Sequence, residues 1–141
     1  MTIGTDFAND LAKLLFNGTA IANIADNAAS SPLTNYQLAL HTASPGSGDQ
    51  TANESTDPAY ARKAVARNSG GLVVTGNVIN TTSTITFNEE SGPDITYKYV
   101  SVGVAATGAS MILVYGELST QILGGAGKIP QLKPTTNITI S

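Results

Sequence analysis

The first apolar pattern in the chain repeats at the spacing of a helix. Four large apolar residues fall at positions i, i+4, i+7 and i+8 and so share one face: Phe7, Leu11, Leu14 and Leu15. Thr5 is a suitable N-cap, and Asn17-Gly18 supplies a stop at the C-terminal end. A helix of about three turns is marginal on its own in water. We therefore expect its apolar face to pack against this chain's own sheet or against a neighbouring subunit.

After Pro32 the apolar residues alternate with polar ones, as they do in β-strands. The predicted strands cover residues 35–43, 60–68, 72–76, 77–87, 95–105 and 111–118, with further short segments towards the end of the chain. In the first strand His41 shares the less apolar face with Gln37 and Ala39, which predicts a strand-end position at a surface or interface. The nearly continuous apolar run Met111–Leu118 predicts a strand that is buried on both faces or lies in the centre of a sandwich.

Short strands at intervals of about 8–12 residues, with no alternation of strands and helices, predict a mainly β fold. We expect a single antiparallel β-sandwich, jelly-roll-like and built from about seven to nine strands, with a short N-terminal amphipathic helix. The predicted division is residues 1–30 as a helix and arm for docking or oligomerisation, and residues 31–141 as the sandwich. Residues 20–29 are small and apolar with Asn and Asp interruptions, which fits a second short helix or a loop.

Composition removes several classes of function. The 141 residues contain no cysteine, only 12% are charged, and the net charge is −3. The only basic cluster is Arg62, Lys63 and Arg67, and it does not form the patch that nucleic-acid binding requires, because Arg62 and Lys63 on a strand point to opposite faces. No apolar run reaches the roughly 18 residues that span a bilayer. The first residues have no basic region before an apolar segment, so no signal peptide is predicted. A surface rich in Thr, Ser and Asn suits contact with another protein, because few ions would lose their hydration.

The stretch Leu38–Glu54 holds the residues that most resemble a catalytic site. His41 is the only histidine of the chain, and Asp49 and Glu54 follow it in a polar loop. A small hydrolase with His41 as base and one of these carboxylates as its partner is one hypothesis. However, proximity in sequence does not establish geometry, and the acidic residues do not have the spacing of a calcium loop. The sequence therefore predicts no catalytic residue, no cofactor and no metal site.

Three motifs, taken in their order, carry a family resemblance. They are L-x-L-H/F-T-x-x-P at Leu38–Pro45, Y-x-R at Tyr60–Arg62, and a late strand, G-x-x-L-x-Y/W-G-x-L, which Gly108–Leu118 matches loosely: the part from Leu113 to Leu118 fits, but Gly108 lies two positions too early. Over roughly residues 35–141 this order resembles a family of small structural proteins of tailed bacteriophages, commonly labelled tail fibre or tail proteins. The resemblance implies a β-sandwich that is attached to the phage particle, and it brings no catalytic residues with it.

The function that follows from the resemblance is that of a non-enzymatic virion component on the particle surface, made in the host cytoplasm. It would be a capsid decoration (cement) protein or a tail- or fibre-associated protein, with the major capsid protein or tail proteins as partners. A homo-oligomer is expected, with a trimer favoured, and neither nucleic acid nor membrane is an expected partner. The candidate interface residues are Phe7, Leu11, Leu14, Leu15, His41, Asp49, Glu54 and Arg62.

The long loops at residues 44–58 and 88–94 are expected to make lateral contacts, because long loops are often functional. The alternative function is a host-glycan-binding module at a fibre tip. Its aromatic contacts would come from the tyrosines, since the chain has no tryptophan. The choice between capsid and tail, the copy number and the host are left open by the sequence.

Overall fold

The computed structural model describes residues 5–21, 33–76, 78–136 and 138–139 of the chain. Within these residues lie one helix and nine strands. Their bounds are α1 Thr5–Asn17, β1 Asn35–His41, β2 Lys63–Ala66, β3 Leu72–Thr75, β4 Val78–Thr81, β5 Ile85–Thr86, β6 Ile95–Gly103, β7 Ile112–Gly124, β8 Gln131–Leu132 and β9 Ile138–Thr139. The expected helix is confirmed, and it is followed by Gly18 at a φ of 66°, the left-handed conformation that commonly ends a helix.

The strands form antiparallel sheets. The largest has four strands in the order β2-β1-β6-β7, a second has the order β3-β4-β9, and β5 pairs with β8. In the largest sheet Leu38 stands opposite Val102 of β6 on one side and Lys63 of β2 on the other. The predicted mainly β, antiparallel fold with one short N-terminal helix is therefore confirmed.

One cluster of buried apolar side chains joins the sheets. The four-stranded sheet contributes Leu38, Leu40 and Val100 to it, and the sheet of β3, β4 and β9 contributes Leu72 and Ile79. All five side chains are at most 1% exposed. Because both sheets turn apolar side chains towards the same interior, the core lies between them, as in a sandwich.

The helix packs on this chain's own core. Phe16 and Ala12 have no exposed surface, and Leu15 packs against the same cluster, whereas Leu11 and Leu14 are half-buried. The predicted apolar stripe missed Phe16, the most deeply buried large side chain among those described on the helix. Leu15, which was part of the predicted stripe, does pack against the core. Phe16 was missed because a helix of 3.6 residues per turn can bury a face broader than a single stripe.

The C-terminal end of α1 is held by side chains from the sheet. Arg67 donates from Nη2 to the carbonyl of Leu14 at 2.6 Å and from Nε to the carbonyl of Leu15 at 2.5 Å. The Tyr36 hydroxyl donates to the same Leu15 carbonyl, and its ring lies edge-on to Phe16 at 5.5 Å between centroids. A cation at this end of a helix also faces the negative pole of the helix dipole. The helix thus has both apolar and charged contacts with the sheet.

The expectation that Met111–Leu118 is buried on both faces or lies in the centre of a sandwich is wrong. β7 forms one edge of the four-stranded sheet, and Met111 and Tyr115 are 63% and 41% exposed. Among the described strands only β6 pairs with it, and the strand continues to Gly124. An apolar run indicates that a segment suits a strand, but it does not indicate which other segments pack on the two faces of that strand.

Several expectations fall outside the described residues. These are the side chain of Phe7, most of the segment 20–29, and the boundary between residues 30 and 31. The division into an arm and a sandwich therefore stays a prediction.

Candidate functional site

The outer face of the four-stranded sheet is covered by the loop that follows β1, residues 42–62. His41 is the last residue of β1 and points to this outer face, yet it has no exposed surface. The backbone N–H of Thr42 donates to the carbonyl of Asn53, and the N–H of Ser55 donates to the carbonyl of Leu40. The loop therefore turns back along β1, and His41 lies between the loop and the sheet rather than at the surface that its strand-end position predicted.

Both ring nitrogens of His41 have partners. Nδ1 lies 2.9 Å from the carbonyl oxygen of Ala52, which can only accept, so Nδ1 carries the proton. Nε2 lies 2.7 Å from Oγ of Ser101 on β6 and accepts from that hydroxyl. Burial lowers the pKa of His41, and the opposing effects of the Ala52 carbonyl and Glu54 do not cancel this. The imidazole is therefore held neutral, in one tautomer.

Gln50 completes the contact between loop and sheet. Its Nε2 donates to Oγ of Ser101 and to the carbonyl of Gln37, both at 3.0 Å. Gln50 and Ser101 have no exposed surface, and the side-chain oxygen of Gln50 has no partner among the described residues. The space beside it is provided by Gly103, where a Cβ atom would lie 2.0 Å from that oxygen.

A serine hydroxyl beside a histidine is the geometry of an activated nucleophile. Here, however, both residues are fully buried, so no substrate reaches the hydroxyl in this structure. The orienting partner of His41 is the Ala52 carbonyl and not Asp49 or Glu54. Asp49 instead accepts hydrogen bonds from the backbone and hydroxyl of Thr51, which lower its pKa. The hydrogen bonds of His41 and Ser101 therefore hold the loop against the sheet, and the Ser101 hydroxyl is not accessible as a nucleophile.

Glu54 and Arg62 form an ion pair that fastens the far end of the loop. Arg62 donates from Nε and Nη2 to the two carboxylate oxygens at 2.6 and 2.7 Å, and this contact raises its pKa. The remaining donors reach the carbonyls of Ala105 and Gly108, at 3.0 and 2.9 Å, in the turn between β6 and β7. The side chains are 2% and 15% exposed, so the pair is internal.

The Y-x-R motif therefore has a physical explanation. Tyr60 accepts the backbone N–H of Leu40 at 2.9 Å through its hydroxyl, and its ring stacks on Phe87. Burial raises the pKa of Tyr60 far above its ordinary range. The two motif residues, separated by one position, thus hold the loop to β1 and to the β6–β7 turn.

The two long loops are bonded to each other. Asp57 of the first loop accepts the backbone N–H groups of Ser91 and Gly92 of the second, at 3.1 and 2.6 Å. Burial acts to raise the pKa of Asp57, but these hydrogen bonds and that from Ala59 outweigh it and lower the pKa. The loops at 44–58 and 88–94 therefore form one joined layer.

A buried carboxylate lies at the centre of the second loop. Glu90 is 2% exposed, and its Oε2 accepts the backbone N–H of Gly125 at 2.7 Å. Its other oxygen accepts from the hydroxyl of Tyr97, which lies 2.6 Å from Oγ of Ser55. Burial, followed by the contact with Glu90, raises the pKa of Tyr97 above its ordinary range. This chain of contacts links the loops to β6 and to the turn after β7.

The sequence did not identify Gln50, Glu90 or Ser101 as part of this network. Ser101 carried the one available signal, since it is a hydroxyl within the apolar run Val100–Val102. Of the predicted interface residues, the structure brings His41, Glu54 and Arg62 to the loop layer, with Asp49 beside them. Leu11, Leu14 and Leu15 lie on the helix, at the other side of the sheet. An interface role for these residues stays a prediction.

Three other kinds of site can be checked against the described residues: metal sites, membrane-spanning helices and aromatic platforms. They contain no group of three or more His, Cys, Asp or Glu side chains that could bind a metal ion. No helix among them is both long and apolar enough to cross a bilayer. Of the five tyrosines, Tyr36 and Tyr97 are buried, Tyr60 and Tyr99 are half-buried, and only Tyr115 is exposed, at 41%. The tyrosines therefore do not form an aromatic platform for a sugar.

Comparison with known proteins agrees with the motif order. No curated protein matches the chain. A family model described as podophage GP4 fiber I protein gp80 matches residues 4–140. The match spans the helix, all three sheets and the loop layer, and it confirms the expected relation to phage tail fibre proteins. This chain belongs to the family of the podophage GP4 fiber I protein gp80.

Proposed function

We propose that this chain is a non-enzymatic fibre component that attaches to other proteins of the virion through the exposed edge of β7. Family membership makes it a phage fibre structural protein and places it with the virion. The observation that supports this mode of attachment is that β7, a long and largely apolar strand at the edge of its sheet, is exposed.

β7 has the features of a contact surface. Three large apolar side chains along it are exposed. Met111, directly before the strand, is 63% exposed, Tyr115 within it is 41% exposed, and Leu123 near its end is 62% exposed. Among the described strands only β6 pairs with β7. A long apolar edge strand readily pairs with a strand of another chain, and proteins that stay monomeric usually blunt such edges with charges. The only charged residue within β7 is Glu117.

The contacts within the loop layer support a structural, non-catalytic role for the chain. The catalytic candidates His41 and Glu54, and with them Arg62, make their hydrogen bonds inside the chain. They keep the loops rigid on one face of the sheet, and a rigid scaffold reduces the entropy that is lost when two proteins associate. A homo-oligomer, with a trimer favoured, is part of the proposal, and light scattering of the purified chain measures it.

The test uses assembly of phage particles that carry variants of this chain. Tyr115→Glu places a charge on the β7 edge, and Val73→Glu is the matched control, because Val73 is also 41% exposed but lies on β3. We expect Tyr115→Glu to remove the chain from purified particles and Val73→Glu to leave it in place, with both variants folded by circular dichroism. Equal incorporation of the two variants would overturn attachment through β7.

Quantitative mass spectrometry of the same particles gives the copy number. We expect a ratio close to that of the tail and fibre proteins. A ratio close to that of the major capsid protein would instead make the chain a capsid decoration protein, and would contradict the fibre location.

A further inference from the structure

The contact between His41, Ser101 and Gln50 fixes where each hydrogen atom lies. Nδ1 of His41 donates to the Ala52 carbonyl, so Nε2 is the atom that accepts from the Ser101 hydroxyl. Oγ of Ser101 in turn accepts from Nε2 of Gln50 at 3.0 Å. The hydroxyl has no third partner among the described residues. The hydrogen bonds of this contact are therefore matched only while His41 is neutral.

A proton on Nε2 of His41 removes the match between donors and acceptors. Both neighbours of the Ser101 hydroxyl, the imidazolium and the Gln50 amide, are then donors, so the hydroxyl hydrogen has no acceptor. Turning the amide round does not restore the contact. Its oxygen would then face the carbonyl oxygen of Gln37, which accepts from Nε2 of Gln50 at 3.0 Å. A buried polar group without a partner destabilises the closed arrangement of the loop.

Among the described residues that face His41, no carboxylate is free to pair with that proton. Glu54 stands opposite His41 in an isolated β-bridge, but both of its carboxylate oxygens accept from Arg62. The positive charge of Arg62 acts against a second cation nearby. On β6 the residue opposite His41 is Tyr99, a phenol that is neutral in mild acid. Burial lowers the pKa of His41, so the closed loop disfavours the proton.

We propose that mild acid releases residues 42–53 from the outer face of the sheet, with protonation of His41 as the trigger. The part of the loop that follows stays attached, because the N–H of Ser55 donates to the carbonyl of Leu40 at 3.2 Å. Asp57 also accepts two backbone N–H groups of the second loop. Release lets the imidazole carry its proton in water, while the core between the sheets stays closed.

The surface under this loop lies beside the exposed edge of β7. Ser101 of β6 stands opposite Ala39 of β1 and opposite Tyr115 of β7, so the three side chains share the outer face of the sheet. Ala39 and Ser101 have no exposed surface, whereas Tyr115 is exposed. Release would therefore extend the exposed surface from β7 towards β1. It does not depend on attachment through β7, so either proposal can fail without the other.

The first test is hydrogen exchange of single amides in the full chain, labelled with ¹⁵N, at pH values from about 7.5 to about 5. The N–H of Gln50, which donates to the Ser110 carbonyl at 3.0 Å, reports release, and the N–H of Ser55 reports the attached part. Both protection factors are corrected for the intrinsic effect of pH on exchange. We expect that of Gln50 to fall by up to about tenfold for each pH unit, because release takes up one proton.

The Ser55 amide is expected to stay more protected than the Gln50 amide at every pH in this range, because its bond to Leu40 lies in the attached part. This comparison separates a local release from unfolding of the whole chain, which would expose both amides together. Unchanged protection of Gln50, or equal protection of the two amides in acid, would overturn the proposed release.

Two variants of the loop identify the group that titrates. His41→Gln cannot take up the proton and is expected to lose the dependence on pH at Gln50. Glu54→Gln changes the acidic residue opposite His41 and should keep that dependence, even with faster exchange from the weakened contact to Arg62. A dependence that persists in His41→Gln, or that disappears in Glu54→Gln, would contradict His41 as the trigger.

The unaltered chain allows a third test, because His41 is its only histidine and gives a single set of imidazole signals. The ¹⁵N chemical shifts of the ring distinguish its two neutral tautomers. At neutral pH we expect the hydrogen on Nδ1, and in mild acid a doubly protonated ring that increases as the Gln50 amide loses protection. A hydrogen on Nε2 at neutral pH, or a ring that gains its second proton while Gln50 stays protected, would overturn the proposal.

Discussion

The Nε2 atom of His41 accepts a hydrogen bond from Oγ of Ser101 across 2.7 Å, between two adjacent strands and out of reach of solvent. The two residues are 60 positions apart in the chain. In an open cleft, such a pair would suggest a hydrolase. In this protein it helps to bind a loop to a sheet. The difference lies in the burial of the pair and in the partner of Nδ1, a backbone carbonyl, and not in the residue types.

Stability should fall on mild acidification because of His41. Its pKa is lowered in the folded state, so below the ordinary value of about 6.5 the unfolded chain binds a proton that the folded chain does not. The loss can reach about 1.4 kcal/mol for each pH unit, until the pH reaches the pKa of the folded state. Urea unfolding between neutral pH and pH of about 5 measures it.

The control for this prediction is His41→Gln, which cannot titrate. Its overall stability is expected to be lower, but the dependence on pH in this window should be lost. The lowered pKa of Asp57 acts only below its ordinary 3.8 and does not overlap with this window. If the variant keeps the slope of the parent protein, another group is responsible.

Arg62→Ala should destabilise the fold by about 3–5 kcal/mol, because it leaves Glu54 and two carbonyls without their partner in an internal site. Lys128→Ala is the matched control. It breaks an ion pair with Asp94 whose side chains are 40% and 83% exposed, and it should cost less than about 1 kcal/mol. Denaturant midpoints measure both losses of stability. Equal losses would show that burial does not determine how much the Arg62 contact contributes to the free energy of unfolding.

Phe16→Ala should cost about 3–5 kcal/mol, since the side chain is fully buried in the shared core. Leu11→Ala, on the same helix but half-buried, should cost about 1 kcal/mol. Thermal unfolding of the two variants compares them. A small effect of Phe16→Ala would mean that the helix is not part of the core in solution.

Gly124→Ala should destabilise the protein by about 1–3 kcal/mol, because a Cβ atom there would lie 2.0 Å from Oε2 of the buried Glu90. Gly116→Ala changes another glycine of β7, at a position with no atom within 4 Å, and should be neutral or slightly stabilising. Chemical unfolding gives both values. Similar losses would point to the strand backbone and not to the Glu90 site.

Local patterns in the sequence determined the fold class of this protein. The helical spacing around Leu15 and the alternation in Asn35–His41 each follow from the geometry of one element, so a single segment was enough to predict them. The order of the three motifs identified the fibre family, because that order is a property of the chain alone.

Only the tertiary structure decided which side chains are inside. The burial of His41 depends on a loop that folds back over β1, and the exposure of Tyr115 depends on how little of its face other segments cover. The partners of His41 and Glu90 come from distant segments, at Ser101 and Gly125. Periodicity describes the two faces of a strand, whereas burial and pairing are set by what other segments place on those faces, and no local pattern contains that information.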